Sequence, residues 1–270
     1  MPERASVEEG RAVSDPAVDT GSKEDSGLRI AGGWLREIAI VVIGALIAST
    51  LLRLFIVQMF VIPSGSMENT LQVRDRVAVQ KLVPFQRGDI IVFRDTEGWL
   101  APAKVEDDPV KKALIFVGLA PDESSNHLIK RVIGLAGDHV TCCDARGRIV
   151  VNGTALNESA YLYTDKGTGK QVDPSAAAFD LVVPAGTVFV MGDHRNDSQD
   201  SRCHLADDTD GGPAGSKAFI PTGNIVGTAV AVVYPFSRFQ GLSRPLTFEN
   251  LPAGQTPPAA PVLNGPEVVC

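Results

Sequence analysis

The chain has no excess of basic residues. Its 25 lysines and arginines are outnumbered by 32 aspartates and glutamates, and the formal net charge of −7 speaks against a nucleic-acid-binding protein. Cysteine is sparse. None of Cys142, Cys143, Cys203 and Cys270 stands in a C-x-x-C pair, which removes the zinc-ribbon and thioredoxin readings. A structural zinc built from Cys142, Cys143, Cys203 and His204 is disfavoured too, because adjacent cysteines lack the usual ligand spacing. Asp193, Asn196, Asp197 and Asp200 share an acidic loop but not the spacing of a calcium-binding EF-hand. No internal repeat is present. No metal or other cofactor is expected.

What is there points to a globular β protein behind a hydrophobic segment. The length of 270 residues suits one or two domains, and 44% hydrophobic residues can fill a core. With 26 glycines and 18 prolines, short strands and many turns are expected rather than long helices. Residues 1–33 are polar and charged without an apolar period, and residues 1–36 are read as a disordered N-terminal segment. Residues 38–52 then run without a charge, and after Arg53 the apolar character continues to Val57. That approaches the ~20 residues that span a bilayer. A cleaved signal peptide would need a basic leading segment and a small-residue cleavage site, and neither is convincing here. The segment at 37–58 is therefore expected to be an uncleaved transmembrane anchor. Basic residues on its two sides are balanced, so they do not orient it.

Beyond the anchor, strand patterns follow one another. Strands are expected at 76–81, 90–93, 127–135, 179–183, 187–191 and 224–234, with a hairpin around 147–153 that turns at Asn152-Gly153. Residues 99–126 read as irregular, with a solvated charged insertion at 106–112. Residues 192–215 read as a loop. The Pro/Ala-rich tail at 251–270 reads as disordered.

The chemistry is suggested by three separated stretches. Ser64 and Ser66 flank Gly65 directly after Pro63, in a turn that can present a hydroxyl to a cleft. A serine becomes a nucleophile only with a base beside it. His127, His139, His194 and His204 leave a Ser-His-Asp triad open. Lys130 is the more informative residue. On a strand it shares a face with Leu128 and Val132, where desolvation would lower its pKa and let it accept a proton. The plainer reading is an edge-strand lysine whose head snorkels to water. The third stretch is the polar loop at 191–202.

Taken together, Pro63-Ser64-Gly65-Ser66-Met67 with Thr70-Leu71, Arg87-Gly88-Asp89, Lys130-Arg131-Val132-Ile133-Gly134 with Gly137-Asp138, and Met191-Gly192-Asp193-His194-Arg195 with Ser198 and Asp200-Ser201-Arg202 resemble the motif series of bacterial type I signal peptidases, most closely the actinobacterial members. The order matches, and a hydrophobic segment precedes it, from about the anchor to Tyr234. The resemblance implies a mainly β fold: an antiparallel β catalytic core at 59–250 with a smaller β-rich cap at about 140–188, preceded by one transmembrane helix. It implies Ser66 as nucleophile and Lys130 as general base. Ser64 would help the backbone N–H of Ser66 form the oxyanion hole, and Ser198 would orient the lysine amine. Arg131, Asp200 and Arg202 would brace the site, and Phe60, Ile62 and Ile129 would line small substrate pockets. His194 departs from the family, which often has Asn there. The implied activity is cleavage of signal peptides from exported preproteins after small residues, of the Ala-X-Ala type. The implied partners are those signal peptides, the lipid bilayer and the Sec/Tat export route, with no nucleic acid. The protein would cross the plasma membrane once, N-terminus cytoplasmic and catalytic domain outside. A self-cleaving Ser/Lys protease of the repressor type and a non-catalytic membrane-tethered β binding domain are the alternatives. An extracytoplasmic domain would also permit disulfides. A bridge from Cys142 or Cys143 to Cys203 is expected, since a bond between the adjacent pair is uncommon.

Overall fold

Apolar alternation and turn chemistry account for most of the elements. In this computed structural model, residues 24–101, 108–110, 126–207, 209 and 211–265 are described, without the side chains of 24–33, 35 and 51–55. The chain divides into two units, Met1–Ser49 and Thr50–Cys270.

Helix α1 (Glu24–Phe55) begins well inside the segment expected to be disordered. The described side chains from Ile38 to Ile47 are largely exposed and apolar. Among the described residues no helix is long and apolar enough to cross a membrane. The expected transmembrane helix at 37–58 is thus not found among the described residues, and its far end is corrected: the helix stops at Phe55 and Val57 already belongs to a strand. Residues 1–23 lie outside the described residues, as does most of the expected insertion at 106–112.

The second unit is built of β1 (Val57–Val61), β2 (Arg76–Gln80), β3 (Ile90–Arg94), β4 (His127–Leu135), β5 (His139–Cys142), β6 (Ile149–Val151), β7 (Thr154–Ala155), β8 (Phe179–Val182), β9 (Thr187–Met191), β10 (Ile220–Pro221), β11 (Ile225–Tyr234), β12 (Gln240–Gly241) and β13 (Val262–Leu263). The larger sheet has the order β1-β2-β11-β3-β4-β9-β10, with β12 on β11, and the smaller has the order β13-β8-β5-β6-β7. Each pairing is antiparallel.

The burial follows the sequence. β2 alternates and sends Val77 and Val79 inward, whereas β3 is apolar on both faces and buried on both. β3 accordingly feeds two apolar clusters, Ile90 and Val92 one of them, Ile91 and Phe93 the other. A third cluster holds the small sheet to the large one through Val140, Ile149, Leu181, Phe189 and Phe219. At Asn152-Gly153 both residues take positive φ (49° and 79°), as a two-residue hairpin turn requires.

Two expectations are corrected here. The tail is not free of structure: β13 pairs with β8, Gln255 N–H donates to Gly137, and Asn264 N–H to Asp180. Backbone pairing holds it where side-chain composition suggested disorder. The expected bridge from Cys142 or Cys143 to Cys203 is also absent, because Cys142 and Cys143 are bonded to each other while Cys203 is disulfide-bonded elsewhere. β5 registers Cys142 opposite Ile149 and Phe179 in the small sheet, while Cys203 lies in the short 3-10 helix Ser201–His204 after β9, with Sγ facing the Ser198 carbonyl at 3.7 Å.

Candidate active site

Ser66 sits in the turn between β1 and β2. Ile62 and Arg74 close this turn at its base: Ile62 N–H donates to Asp75 and Arg74 N–H to Ile62, both at 2.9 Å. Met67 and Leu71 are fully buried and pull the following residues down into the apolar cluster, and Leu71 N–H donates to Met67 at 2.8 Å. Ser66 is therefore carried on a firmly anchored loop, and it is itself buried.

Lys130 lies mid-strand on β4, opposite Ile91 of β3. Its Nζ donates to Ser66 Oγ at 2.6 Å. Only 2% of Lys130 is exposed, and burial lowers its pKa from 10.5 to about 8, against the pull of Asp200 and Asp193, which favour its charge. Ser64 Oγ stands 3.4 Å from Ser66 Oγ. Two adjacent hydroxyls and a buried amine thus come from β4 and one loop.

The loop after β9 supplies the next layer. Ser198 donates to Asp200 Oδ2 at 2.8 Å rather than reaching Lys130, whose side chain has its hydrogen bond with Ser66. Asp200 is fully buried and also accepts from Gly192 N–H (2.9 Å) and from Arg202 Nε (2.8 Å) and Nη2 (2.9 Å). Burial works to raise its pKa, but Arg202 and these hydrogen bonds outweigh it, and the carboxyl is held low. Gly192 must be glycine. A Cβ there would lie 2.5 Å from the Ser66 carbonyl oxygen and overlap Ser198 Oγ. Main chain at 192–194 is pressed against the serine loop, with His194 N–H donating to Ser66 O at 3.0 Å.

Arg131 is saturated with partners. Its Nε and Nη2 form a fork on Asp193 at 2.8 and 2.6 Å, Nη1 donates to Gly88 O at 2.6 Å, and the guanidinium lies 4.2 Å over the Tyr161 ring. Thr70 donates to Asp193 Oδ2 at 2.5 Å, tying the serine loop to the same carboxylate. Behind it Arg195 pairs with Glu158 at 2.5 Å, and Tyr161 donates to Glu158 at 2.6 Å. Sequence reasoning missed Glu158 and Tyr161, and it assigned no role to Thr70, Asp193 and Arg195 although all three stand in the quoted motifs. The β4–β9 register explains the Asp193 pairing: Arg131 faces Met191, which puts Asp193 two residues beyond.

Phe60, Ile62 and Ile129 do come together, packed with Met67 and Leu71, and Ile62 and Ile129 are almost wholly buried. The side-chain partners found for the histidines do not include the Ser66 hydroxyl. His139 faces Asp180, His204 faces Asp207, His127 packs on Phe60, and His194 Nδ1 lies 3.3 Å from the Gly65 carbonyl. Among the described residues no cluster of His, Cys, Asp and Glu is suited to hold a metal ion.

The comparisons agree in direction. The family described as "Signal peptidase, peptidase S26" matches residues 34–234. A signal peptidase I of Mycobacterium tuberculosis (strain H37Rv) is 36% identical over 230 residues, covering 76% of this chain and 74% of that protein. A probable signal peptidase I of Mycobacterium leprae is 34% identical over 261 residues, covering 85% and 86%. A crystal structure of a signal peptidase I from Enterococcus faecalis V583 overlaps 55% of this chain and 98% of its own at 24% identity, with a TM-score of 0.33, a likeness too low to argue from. The class is thus a peptidase of mainly antiparallel β fold. Within it, the chain belongs to the bacterial type I signal peptidases, peptidase family S26.

Proposed function

We propose that the chain removes signal peptides from exported preproteins with Ser66 as nucleophile and Lys130 as general base. The observation that carries this reading is the 2.6 Å contact between a serine hydroxyl and a lysine amine whose pKa burial lowers to about 8. A neutral amine has the lone pair that a charged one lacks. Lys130 takes the Ser66 proton as Oγ bonds to the scissile carbonyl carbon. The resulting oxyanion is met by the Ser66 N–H and the Ser64 hydroxyl. Its collapse breaks the C–N bond, and the leaving amine takes the proton from Lys130. Water then attacks the acyl-serine, again giving its proton to Lys130, and the carboxylate product and the Ser66 hydroxyl are restored.

Ser198, Asp200 and Arg202 hold the loop that packs against this pair, and Arg131 fixes β4 next to it. On this reading Phe60, Ile62 and Ile129, which pack in one apolar cluster, line subsites for small side chains such as those of Ala-X-Ala. The exposed apolar stretch of α1 attaches the enzyme to the bilayer, with the peptidase unit on the outer face, where the Sec and Tat routes deliver their cargo. Cleavage of a preprotein by the wild type and by Ser66→Ala, with a serine-acylating probe to mark the modified residue, tests the reading. Turnover by Ser66→Ala, or labelling at another serine, ends it. Retention in the soluble fraction of a wild-type cell lysate would remove the membrane attachment.

A further inference from the structure

The two carbonyls that flank Ser66 in sequence are both held by one residue. His194 N–H donates to the Ser66 carbonyl at 3.0 Å, and His194 Nδ1 lies 3.3 Å from the Gly65 carbonyl. The Gly65 carbonyl and the Ser66 N–H belong to the same planar peptide group and point in opposite directions. Whatever fixes the carbonyl therefore aims the N–H. The main chain alone contributes one restraint, Glu68 N–H on the Gly65 carbonyl at 2.8 Å. The imidazole adds a second.

The ring is well placed to do so. It stacks on Tyr163 with centroids 3.7 Å apart and planes 26° from parallel, and its side chain is only 12% exposed. Tyr163 is pinned in turn, its N–H donating to the Asp193 carbonyl at 3.1 Å. Nδ1 also faces Glu68 Oε2 at 3.5 Å and Asp197 Oδ2 at 3.9 Å. Two carboxylates on that side favour the proton on Nδ1, where it donates to the Gly65 carbonyl.

We propose that His194 is a positioning residue that holds the Gly65–Ser66 peptide with its N–H turned to the reaction centre, so that it acts on the oxyanion without touching substrate. This rests on the assignment of Ser66 as nucleophile. The oxyanion exists only along the reaction path, so the effect belongs in kcat and not in KM.

The test is steady-state cleavage of a preprotein by the full chain in detergent, with wild type, His194→Leu, His194→Asn and Ser66→Ala measured side by side with their thermal midpoints. Leucine keeps the main-chain bond to Ser66 and removes the side-chain donor. It is expected to lower kcat about ten- to a hundredfold, the scale of a slightly misplaced catalytic group, with KM and the thermal midpoint unchanged. Asparagine restores a donor toward the Gly65 carbonyl and is expected to recover most of kcat. Wild-type kcat in His194→Leu overturns the proposal. So does a loss confined to KM, a loss that follows a fall in the midpoint, or a failure of asparagine to recover kcat. Activity in Ser66→Ala would instead overturn the nucleophile assignment on which it stands.

Discussion

The surroundings of Lys130 and of Arg131 differ more than their places on β4 suggest. Both are cations in sequence and both are 2% exposed. Arg131 has a carboxylate fork, a carbonyl and an aromatic face, and its pKa is raised because Asp193 outweighs the cost of burial. Lys130 has one neutral hydroxyl, and burial prevails. The comparison teaches that burial alone does not lower the pKa of a cation. Burial without a paired carboxylate does, and the carboxylates here are engaged by Arg131 and Arg202 instead.

The sharpest way to break the comparison is Lys130→Arg. Arginine stays charged at any working pH, so turnover should fall by about 10²–10⁴, as far as in Lys130→Ala. Near-normal cleavage by Lys130→Arg would make Lys130 a structural cation like its neighbour. A companion measurement is the pH profile of the wild type, in which kcat/KM should rise with pH through about 8 as Lys130 loses its proton. A flat profile from pH 6 to 10 contradicts a neutral-lysine base.

Arg131→Met should come next in size. It leaves Asp193 buried without its partner and should cost roughly 3–5 kcal/mol of stability, read by denaturant unfolding. Lys130→Met should go the other way. The folded value of about 8 lies below the ordinary 10.5, so below pH 8 the native state carries a charge it poorly tolerates. Removing it should stabilise the protein at pH 7 by up to about 3 kcal/mol. Between pH 8 and 10.5 the unfolded chain binds more protons than the folded one. Wild-type stability therefore rises with pH there, and the advantage of the mutant shrinks. Equal signs for the two methionine variants at pH 7 would erase the distinction between the two surroundings. The smallest effect is expected from Ser198→Ala, about 1–2 kcal/mol from the lost bond to Asp200. A fall in kcat much beyond what that loss predicts would mean that the hydroxyl serves Lys130 during turnover.

Much of this was legible before any coordinates. The expected strands at 127–135 and 187–191 coincide with β4 and β9, because both are apolar runs ended by turn residues. Ser66 and Lys130 were legible as a pair through the order of their motifs, and the structure puts them in contact. What escaped depends on contacts that leave no periodic trace. Glu158 and Arg195 are 37 residues apart, and although Arg195 stands in a motif, nothing in the sequence names Glu158 as its partner. The tail is held by main-chain bonds from Ala185 and Gln255, which composition does not encode. Adjacent cysteines seldom pair, so nothing in the sequence favours the bond between Cys142 and Cys143.

The strand order has a consequence for when the enzyme can exist. β1 and β2, which bracket the serine loop, form one hairpin; β3 and β4, which carry the lysine, form another. The two share no ladder. β11 lies between them, pairing with β2 on one side and β3 on the other, and it is made some hundred residues later than the lysine. A growing chain that has emerged only as far as the 191–202 loop already contains Ser66, Lys130 and Ser198 and still lacks the strand that brings its two halves into one sheet. The serine loop and the lysine strand therefore share one sheet only once β11 is in place.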